Sequence, residues 1–307
     1  MTFSRHTRWL ILLIGFVVAT ATIFEVVFAS PSSAARLTHG STEYIPELGW
    51  AETLSDLSRL NVESHVFHSE SLNRDTPYYI YLPPGYDSQP DTRYPVLYML
   101  HGMSGTNAEW LQYGLLRTAD QMMRGGEIRP FIIVLPQGDK EYWVDHANNG
   151  PRWGTYVTHD VVAEIDNHYR TLADRPHRAI GGLSMGGHGA MQLAINTPDL
   201  FSVVGAHSPA LRTYENTFAF FGDRAYFDAH NPLALCKKYP KVVSRFKLWV
   251  DIGAADPWAP AAEAFHDQLV QLGIPHTWHE YAGGHSGDYW GDHADEYLQF
   301  YSESFAD

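Results

Sequence analysis

The feature that most constrains this chain is a serine set between glycines at residues 181–187, which read Gly-Gly-Leu-Ser-Met-Gly-Gly and contain Gly-x-Ser-x-Gly around Ser184. The short run 178–180 predicts the end of a buried strand, and the apolar spacing of residues 190–195 predicts a helix. A sharp turn between strand and helix exposes a nucleophilic serine, and the flanking glycines let neighbouring backbone come close. The same letters occur by chance in glycine-rich turns, but this context favours a nucleophile at Ser184.

Apolar runs that alternate with helical segments predict an α/β fold with a mostly parallel central sheet and helices on both faces. Residues 61–68 and 78–82 are predicted to form an antiparallel hairpin at the sheet edge, joined by a turn over residues 69–76. The other predicted strands are 95–100, 131–135, 178–180, 202–206, 246–252 and 277–281. The predicted helices are 109–123, 156–169, the segment after Ser184 and 292–305.

A serine hydroxyl needs a base and a group that orients the base, and both are expected beyond the carboxyl ends of parallel strands. Asp256 follows the predicted strand 246–252. His285 follows the predicted strand 277–281, in a glycine-rich loop. The resulting order of Ser184, Asp256 and His285 is the one used by the hydrolase version of this fold, so these residues are the predicted catalytic triad.

Other residues compete for the roles of acid and base. Asp251 is the alternative acid, but a side chain inside a strand is committed to the sheet rather than to a loop. The alternative bases lie within a strand, at a helix start or beside the nucleophile, and they are His279, His293, His188 and His207. The chain has 17 histidines but no His-Glu-x-x-His or similar spacing that fixes two ligands on one face. A catalytic metal is therefore not predicted.

Two backbone amides are predicted to bind the oxyanion that develops on the substrate. Met185 supplies one amide because it follows the nucleophile, and the loop after strand 95–100 supplies the other, at Met103. His101 in the same loop is predicted either to shape the turn or to contact the substrate.

The acidic balance of the chain argues against nucleic acid as a partner. The sequence holds 21 basic and 35 acidic residues, a formal charge of -14. Its 307 residues, 45% of them hydrophobic, suffice for one large α/β domain. Cys236 is the single cysteine, which excludes an intrachain disulfide and a cysteine-based zinc site.

The first 35 residues have the anatomy of an export signal. Arg5 and Arg8 precede an apolar stretch over residues 9–24, and small residues follow it. This stretch is marginal for a ~30 Å hydrocarbon core, so cleavage after Ala29 or near Ala35 is predicted over retention as a membrane anchor. The predicted organisation is a signal peptide or N-terminal anchor at 1–35, a connector with a short helix at 36–60 and a catalytic domain at 61–307. The predicted location is secreted or periplasmic.

Several stretches carry a family resemblance: residues 100–103 (Leu-His-Gly-Met), 153–157 (Trp-Gly-Thr-Tyr-Val), 178–190 around Ser184, Asp256, and Gly284 with His285. Over about residues 60–305, the chain resembles the Putative esterase family, which includes esterase D, feruloyl and related carbohydrate esterases, and the antigen 85 mycolyltransferases. The resemblance implies an α/β-hydrolase fold without a cofactor. It also implies that Ser184, Asp256 and His285 occupy the family's triad positions. The exported N-terminus departs from the cytosolic, glutathione-linked branch.

The leading hypothesis is an exported serine carboxylic-ester hydrolase that acts on an acyl, acetyl or aryl ester, with carbohydrate-linked esters included. A long connection over residues 208–244 is rich in aromatic residues and is predicted to cap the site, although the same rings suit packing against the core: Tyr214, Phe218, Phe220, Phe221, Tyr226 and Phe227. Trp143, Trp153 and Trp290 lie in other loops, and Trp153 is the predicted substrate-binding ring. The alternatives are an acyltransferase with the same triad and a non-catalytic binding protein on this fold.

Overall fold

The computed structural model describes residues 35–36 and 59–307. The predicted signal peptide or anchor, the connector over 36–60 and its short helix lie outside the described residues, apart from residues 35, 36, 59 and 60. Within the described part, no helix has both the length and the apolar character needed to cross a membrane. The domain boundaries stay predictions.

The described residues contain a nine-stranded sheet with the order β1-β2-β3-β5-β4-β6-β7-β8-β9. Its strands are β1 Ala35–Arg36, β2 Val62–Ser69, β3 Arg74–Tyr81, β4 Val96–Leu100, β5 Ile132–Pro136, β6 Arg178–Leu183, β7 Val203–His207, β8 Lys247–Gly253 and β9 Thr277–Tyr281. The pairs from β1 through β3 to β5 are antiparallel, and those from β5 through β4 to β9 are parallel. The predicted mostly parallel α/β sheet is confirmed.

The predicted antiparallel hairpin forms, but β1 lies outside it at the edge of the sheet, and the hairpin turn is shorter than the predicted residues 69–76. Strands β2 and β3 pair from Val62 with Tyr81 to Ser69 with Arg74, which leaves residues 70–73 as the turn. Polar residues at the start of β3 have the composition of a turn, yet Arg74 and Asp75 pair with β2 while their side chains are exposed to solvent. The predicted boundary between the turn and β3 was therefore wrong, because it was based on composition.

The helices of the described chain lie in the segments between and after the strands. They are α1 Glu109–Gln112, α2 Leu115–Gly125, α3 Trp153–Thr155, α4 Val162–His168, α5 Met185–Asn196, α6 Arg224–Asp228, α7 Pro232–Lys238, α8 Pro240–Val243, α9 Ala259–Gln271, α10 Gly287–Asp292 and α11 Ala294–Ser304. A π-helix, Tyr156–Val161, joins α3 to α4 into one helical stretch.

One predicted helix is divided in two. The predicted helix 109–123 breaks at Gly114, whose φ of 84° is left-handed and which separates α1 from α2. Apolar periodicity continues through this break, and periodicity alone therefore does not reveal it. The predicted helix 292–305 forms as α11, and the separate helix α10, which was not predicted, ends just before it at Asp292.

Helices cover both faces of the sheet, and β4 shows this most directly. All five residues of β4 are buried. Leu97 and Met99 belong to the core that contains residues of α1, α2 and α11. Tyr98 and Leu100 belong to the opposite core, with residues of α4, α5 and α9. Alternate residues of a strand point to opposite faces, so a continuous apolar run fits a strand between two helical layers.

The last helix reaches into the sheet beneath the nucleophile strand. The hydroxyl of Tyr301 on α11 occupies a groove between Gly181 of β6 and Gly205 of β7, where a Cβ on either glycine would collide with it. The same hydroxyl lies 2.9 Å from Nε2 of His207. Because glycine alone leaves room for the hydroxyl, these two strands and α11 fit together at this point.

The aromatic-rich segment after β7 packs against the molecule through part of its rings. Phe221 and Phe227 are buried in the same core as Tyr142. Tyr214, Phe218 and Phe220 are partly buried against that core. Packing against the core, the alternative role for these rings, is therefore observed. Their role as a cap over the site stays a prediction.

Candidate active site

Ser184 stands on the turn between β6 and α5. Its φ of 54° and ψ of -115° form a conformation that residues with a side chain rarely adopt. A Cβ on Gly186 would collide with the carbonyl of Leu100, and a Cβ on Gly182 would collide with the backbone of Gly186. The Ser184 amide donates to the carbonyl of His207 at 2.9 Å, which secures the turn. The sequence pattern thus forms the strained turn that exposes a serine hydroxyl.

The structure brings Ser184, His285 and Asp256 together in one line of hydrogen bonds. Nε2 of His285 lies 2.9 Å from Oγ of Ser184, and Nδ1 of His285 lies 2.6 Å from Oδ2 of Asp256. A carboxylate only accepts, so Nδ1 carries the ring proton and Nε2 is the free acceptor that faces the serine hydroxyl. The arrangement can move a proton from Ser184 to His285 and stabilise the imidazolium that results.

The loops that carry the acid and the base are tied to each other by backbone hydrogen bonds. The amide of Ala254 donates to Tyr281, and the amide of Ala255 donates to Gly283, each at 2.8 Å. Asp256 itself is 4% exposed, and its Oδ1 accepts from the amide of Trp258 at 2.8 Å. The carboxylate is therefore held by the backbone around it as well as by His285.

Asp251, the alternative acid, lies within β8 and belongs to a different network. It is fully buried and binds Nδ1 of His207 at 2.7 Å. Three more side chains donate to its carboxylate, with distances of 2.8, 2.8 and 2.9 Å: Trp249, Tyr289 and Tyr297. Burial and the neighbouring carboxylate raise the pKa of Tyr297 well above its usual value. The Asp251 carboxylate is therefore bound within the interior of the sheet and does not contact His285.

The alternative bases are all occupied elsewhere. His188 is fully buried, its Nε2 donates to the carbonyl of His230 at 3.0 Å, and burial lowers its pKa to about 4. His207 lies between Asp251 and Tyr301. His279 and His293 each stack on the ring of Tyr281.

The predicted oxyanion donors are Met185, which directly follows the serine, and Met103, in the loop that approaches the serine at Gly102. Met185 begins α5, so its amide is one of the first-turn amides that have no partner within the helix. Gly102 lies so close to the serine that a Cβ there would come within 3.5 Å of Ser184 Cβ, which brings the loop with Met103 beside the nucleophile. Among the described residues, neither the Met103 nor the Met185 amide has an acceptor. Both are available to an oxyanion.

The structure does not support substrate-binding roles for His101 and Trp153, since each side chain is only 1% exposed. Nδ1 of His101 donates to the carbonyl of Gly102 at 2.7 Å, and its Nε2 accepts from the amide of Gly138 at 2.8 Å. Burial lowers the pKa of His101, which favours this neutral ring. The guanidinium of Arg74 lies 4.7 Å above the Trp153 ring. His101 therefore shapes its loop, and Trp153 is part of the interior.

Two residues that sequence reasoning missed support the loop beside Ser184. Nε1 of Trp143 donates to the carbonyl of His101 at 3.2 Å, and Trp143 has a left-handed φ of 58°. The carboxylate of Glu109 accepts from the Gly102 amide at 2.6 Å. An acidic residue at a helix start is common for electrostatic reasons, so the sequence carried no signal that singled out Glu109.

The chain is similar in sequence to known esterases and to an uncharacterized bacterial protein. A family model described as Putative esterase matches residues 69–300. An uncharacterized protein of Corynebacterium glutamicum is 30% identical over 231 residues, which cover 69% of this chain and 53% of that protein. An esterase of Mycobacterium tuberculosis is 29% identical over 242 residues, covering 67% of this chain and 51% of that protein. The chain thus spans about half the length of these two relatives.

The solved structure of a ferulic acid esterase has the same fold. It superposes with a TM-score of 0.72 and 27% sequence identity, covering 80% of this chain and 98% of that chain. The sheet and its helices are therefore arranged as in an α/β-hydrolase.

Proposed function

Because this chain belongs to the Putative esterase family of α/β-hydrolases, we propose that it is an exported serine esterase that cleaves carboxylic esters through an acyl-enzyme. The observation that carries the proposal is the line of hydrogen bonds from Ser184 through His285 to Asp256. The proposal is supported by the position of Met185 directly after the serine and by the approach of the Met103 loop to the serine at Gly102. A nucleophile, a base, an acid and oxyanion donors are the parts that acyl transfer requires.

In the first half of the proposed reaction, Oγ of Ser184 attacks the ester carbonyl carbon while Nε2 of His285 takes the hydroxyl proton. Asp256 holds Nδ1–H and stabilises the imidazolium. The negative oxygen of the tetrahedral intermediate binds the amides of Met103 and Met185. The intermediate collapses when the bond between carbonyl carbon and alcohol oxygen breaks, and His285 gives its proton to the leaving alcohol.

In the second half, water attacks the acyl-enzyme with His285 again as the base. Release of the carboxylic acid restores the hydroxyl of Ser184. A sugar or lipid hydroxyl reacts with the same intermediate in an acyltransferase, so the acceptor decides between hydrolysis and transfer.

The proposed substrates are small esters with an acyl, acetyl or aryl group, including esters attached to carbohydrate. The similarity to a ferulic acid esterase supports an aryl ester as one member of this group. Export is proposed from the N-terminal sequence alone, with its two arginines, apolar stretch and small residues. Edman sequencing of the protein recovered from outside the cytoplasm tests cleavage near Ala29 or Ala35.

The decisive experiment measures p-nitrophenyl acyl esters of increasing chain length and methyl ferulate, each with and without a sugar acceptor. We expect hydrolysis of at least one ester by the wild-type chain and none by the variant Ser184→Ala. An acylated sugar would identify a transferase instead. A folded wild-type chain that neither hydrolyses these esters nor reacts with a fluorophosphonate would favour the non-catalytic alternative.

A further inference from the structure

Glu109 is a buried carboxylate beside the candidate active site that the proposed reaction does not use. It begins α1 and is 9% exposed. Its Oε2 accepts from the Gly102 amide at 2.6 Å, and its Oε1 accepts from the hydroxyl of Tyr113 at 3.2 Å. Burial raises its pKa, while these two donors and the charge of His285 act in the opposite direction. Burying a carboxylate is costly, so a specific pair of donors at this place requires an explanation.

The loop after β4 is folded around this carboxylate. The Gly105 amide donates to the carbonyl of Gly102 at 3.1 Å, which closes a turn over residues 102–105. A Cβ on Gly105 would collide with the Glu109 carboxylate. Close approach by glycine backbone therefore lets Glu109 reach the amide of Gly102 inside the turn.

The hydrogen bond to Glu109 distinguishes two adjacent amides. The Gly102 amide is engaged and points at Glu109. The next amide, that of Met103, has no acceptor among the described residues. The peptide unit that carries the Met103 amide is planar and contains the Gly102 carbonyl, which accepts from Nδ1 of His101 at 2.7 Å and from the Gly105 amide at 3.1 Å, so both peptide units that flank Gly102 are held. The preceding residue, His101, is fixed by Trp143 and Gly138.

We propose that Glu109 is a positioning residue for the oxyanion-binding loop. Its carboxylate binds the Gly102 amide and thereby orients the Met103 amide toward the oxygen that becomes negative during the reaction. Glu109 acts through Gly102 and does not touch the substrate. This inference rests on the proposed function, since an oxyanion forms only if Ser184 reacts with an acyl group.

The length and the charge of the side chain are separable by substitution. In Glu109→Gln, an amide oxygen replaces the acceptor at the same distance, and the negative charge is lost. In Glu109→Asp, the charge stays, but the side chain is one methylene shorter and falls short of the Gly102 amide. Glu263, an exposed carboxylate on α9, provides the matched control Glu263→Gln.

The experiment measures kcat and KM on the best p-nitrophenyl ester, the rate of fluorophosphonate labelling and the melting temperature of each variant. We expect Glu109→Gln to keep kcat and labelling within about 5-fold of wild type. We expect Glu109→Asp to lose about 10²-fold in both, because misplacing a reacting or stabilising group by about 1 Å has an effect of this size. KM should change less than about 3-fold, and Glu263→Gln should behave as wild type.

Each other outcome contradicts the proposal. A larger loss in Glu109→Gln than in Glu109→Asp would assign the effect to the charge near His285. A lower melting temperature with unchanged kcat and labelling in both variants would reduce Glu109 to a structural residue. The wild-type chain tests the proposed function separately. If the wild-type chain hydrolyses no ester but reacts with the fluorophosphonate, the ratios of labelling rates still compare the variants. If the wild-type chain shows neither hydrolysis nor labelling, both proposals are contradicted.

Discussion

Asp251 and Asp256 each bind Nδ1 of a different histidine, at 2.7 Å from His207 and 2.6 Å from His285 respectively. The first pair is fully buried in the sheet, whereas the second lies beside Ser184. Only the second histidine reaches the serine hydroxyl. Two carboxylates near the end of one strand thus have separate tasks, and replacing each of them should have a different effect.

The first prediction is that Asp256→Asn lowers kcat by about 10⁴-fold while the chain stays folded. An asparagine side chain can turn its amide toward Nδ1 and select the wrong tautomer of His285, which then has no free acceptor for the serine proton. Steady-state kinetics on the best ester substrate, with circular dichroism as a check of folding, measure this loss.

Asp251→Asn is the matched comparison. We expect a loss of about 3 kcal/mol in the free energy of unfolding, because a buried carboxylate with several donors is broken up. The kcat of the folded fraction should fall by less than about 10-fold, in contrast to the loss expected at Asp256. A larger kcat loss at Asp251 than at Asp256 would exchange the roles assigned to the two residues.

The second prediction is that Ser184→Ala abolishes covalent labelling by a fluorophosphonate without unfolding the chain. Alanine removes the nucleophilic oxygen and retains the Cβ, so the strained backbone of the turn is unchanged. Mass spectrometry of intact protein, together with a melting curve, tests both parts. Labelling that persists in this variant would show that another residue is the nucleophile.

The third prediction concerns the pH dependence of the reaction. Only neutral imidazole accepts the serine proton, so kcat/KM should rise with pH through a single inflection. The rate should not change on addition of EDTA, because backbone amides bind the oxyanion in the proposed reaction. A rate that is flat from about pH 5 to 9 excludes histidine as the base. Loss of activity on chelation, restored by a divalent ion, would indicate a metal.

The fourth prediction concerns the pH dependence of stability, through His188. Burial lowers the pKa of His188 from 6.5 to about 4 in the folded chain. Below pH 6.5, the pKa of His188 in the unfolded chain, the unfolded chain binds a proton that the folded chain does not. The contribution of His188 to the stability of the folded state is therefore fully present above pH 6.5 and is lost as the pH falls toward 4. We expect His188 to account for a loss of about 3 kcal/mol over this window, measured by urea unfolding at several pH values.

The variant His188→Gln tests this prediction, since glutamine can donate to the same carbonyl and does not titrate. Its unfolding free energy should depend less steeply on pH between 4 and 6.5 than that of wild type. Equal slopes for wild type and His188→Gln would exclude His188 as the source.

The sequence predicted the parts of the site that follow from strand order. Asp256 and His285 were found because they lie just beyond the ends of β8 and β9, where parallel strands bring their side chains to one edge. Ser184 was found because a strained turn needs glycines on both sides. Such local rules hold without knowledge of the rest of the fold.

The parts that depend on contacts across the fold were not predicted. Glu109 has the composition of an ordinary helix start, and only the turn that closes around it reveals its contact with Gly102. Trp153 lies in a family motif and was predicted to bind substrate, yet its side chain is buried in the interior. The break at Gly114 was not predicted because apolar periodicity continues from α1 into α2.

The groove that Gly181 and Gly205 leave for Tyr301 has a consequence for synthesis on the ribosome. Tyr301 follows its partner His207 by 94 residues. At ~5–20 residues per second, this interval lasts about 5 to 20 s, during which β6 and β7 exist without the hydroxyl that fills the space between them. A nascent chain that already contains Ser184 therefore still lacks the tyrosine of α11 that packs between β6 and β7. The reactive turn should gain its final rigidity only after α11 has emerged and docked.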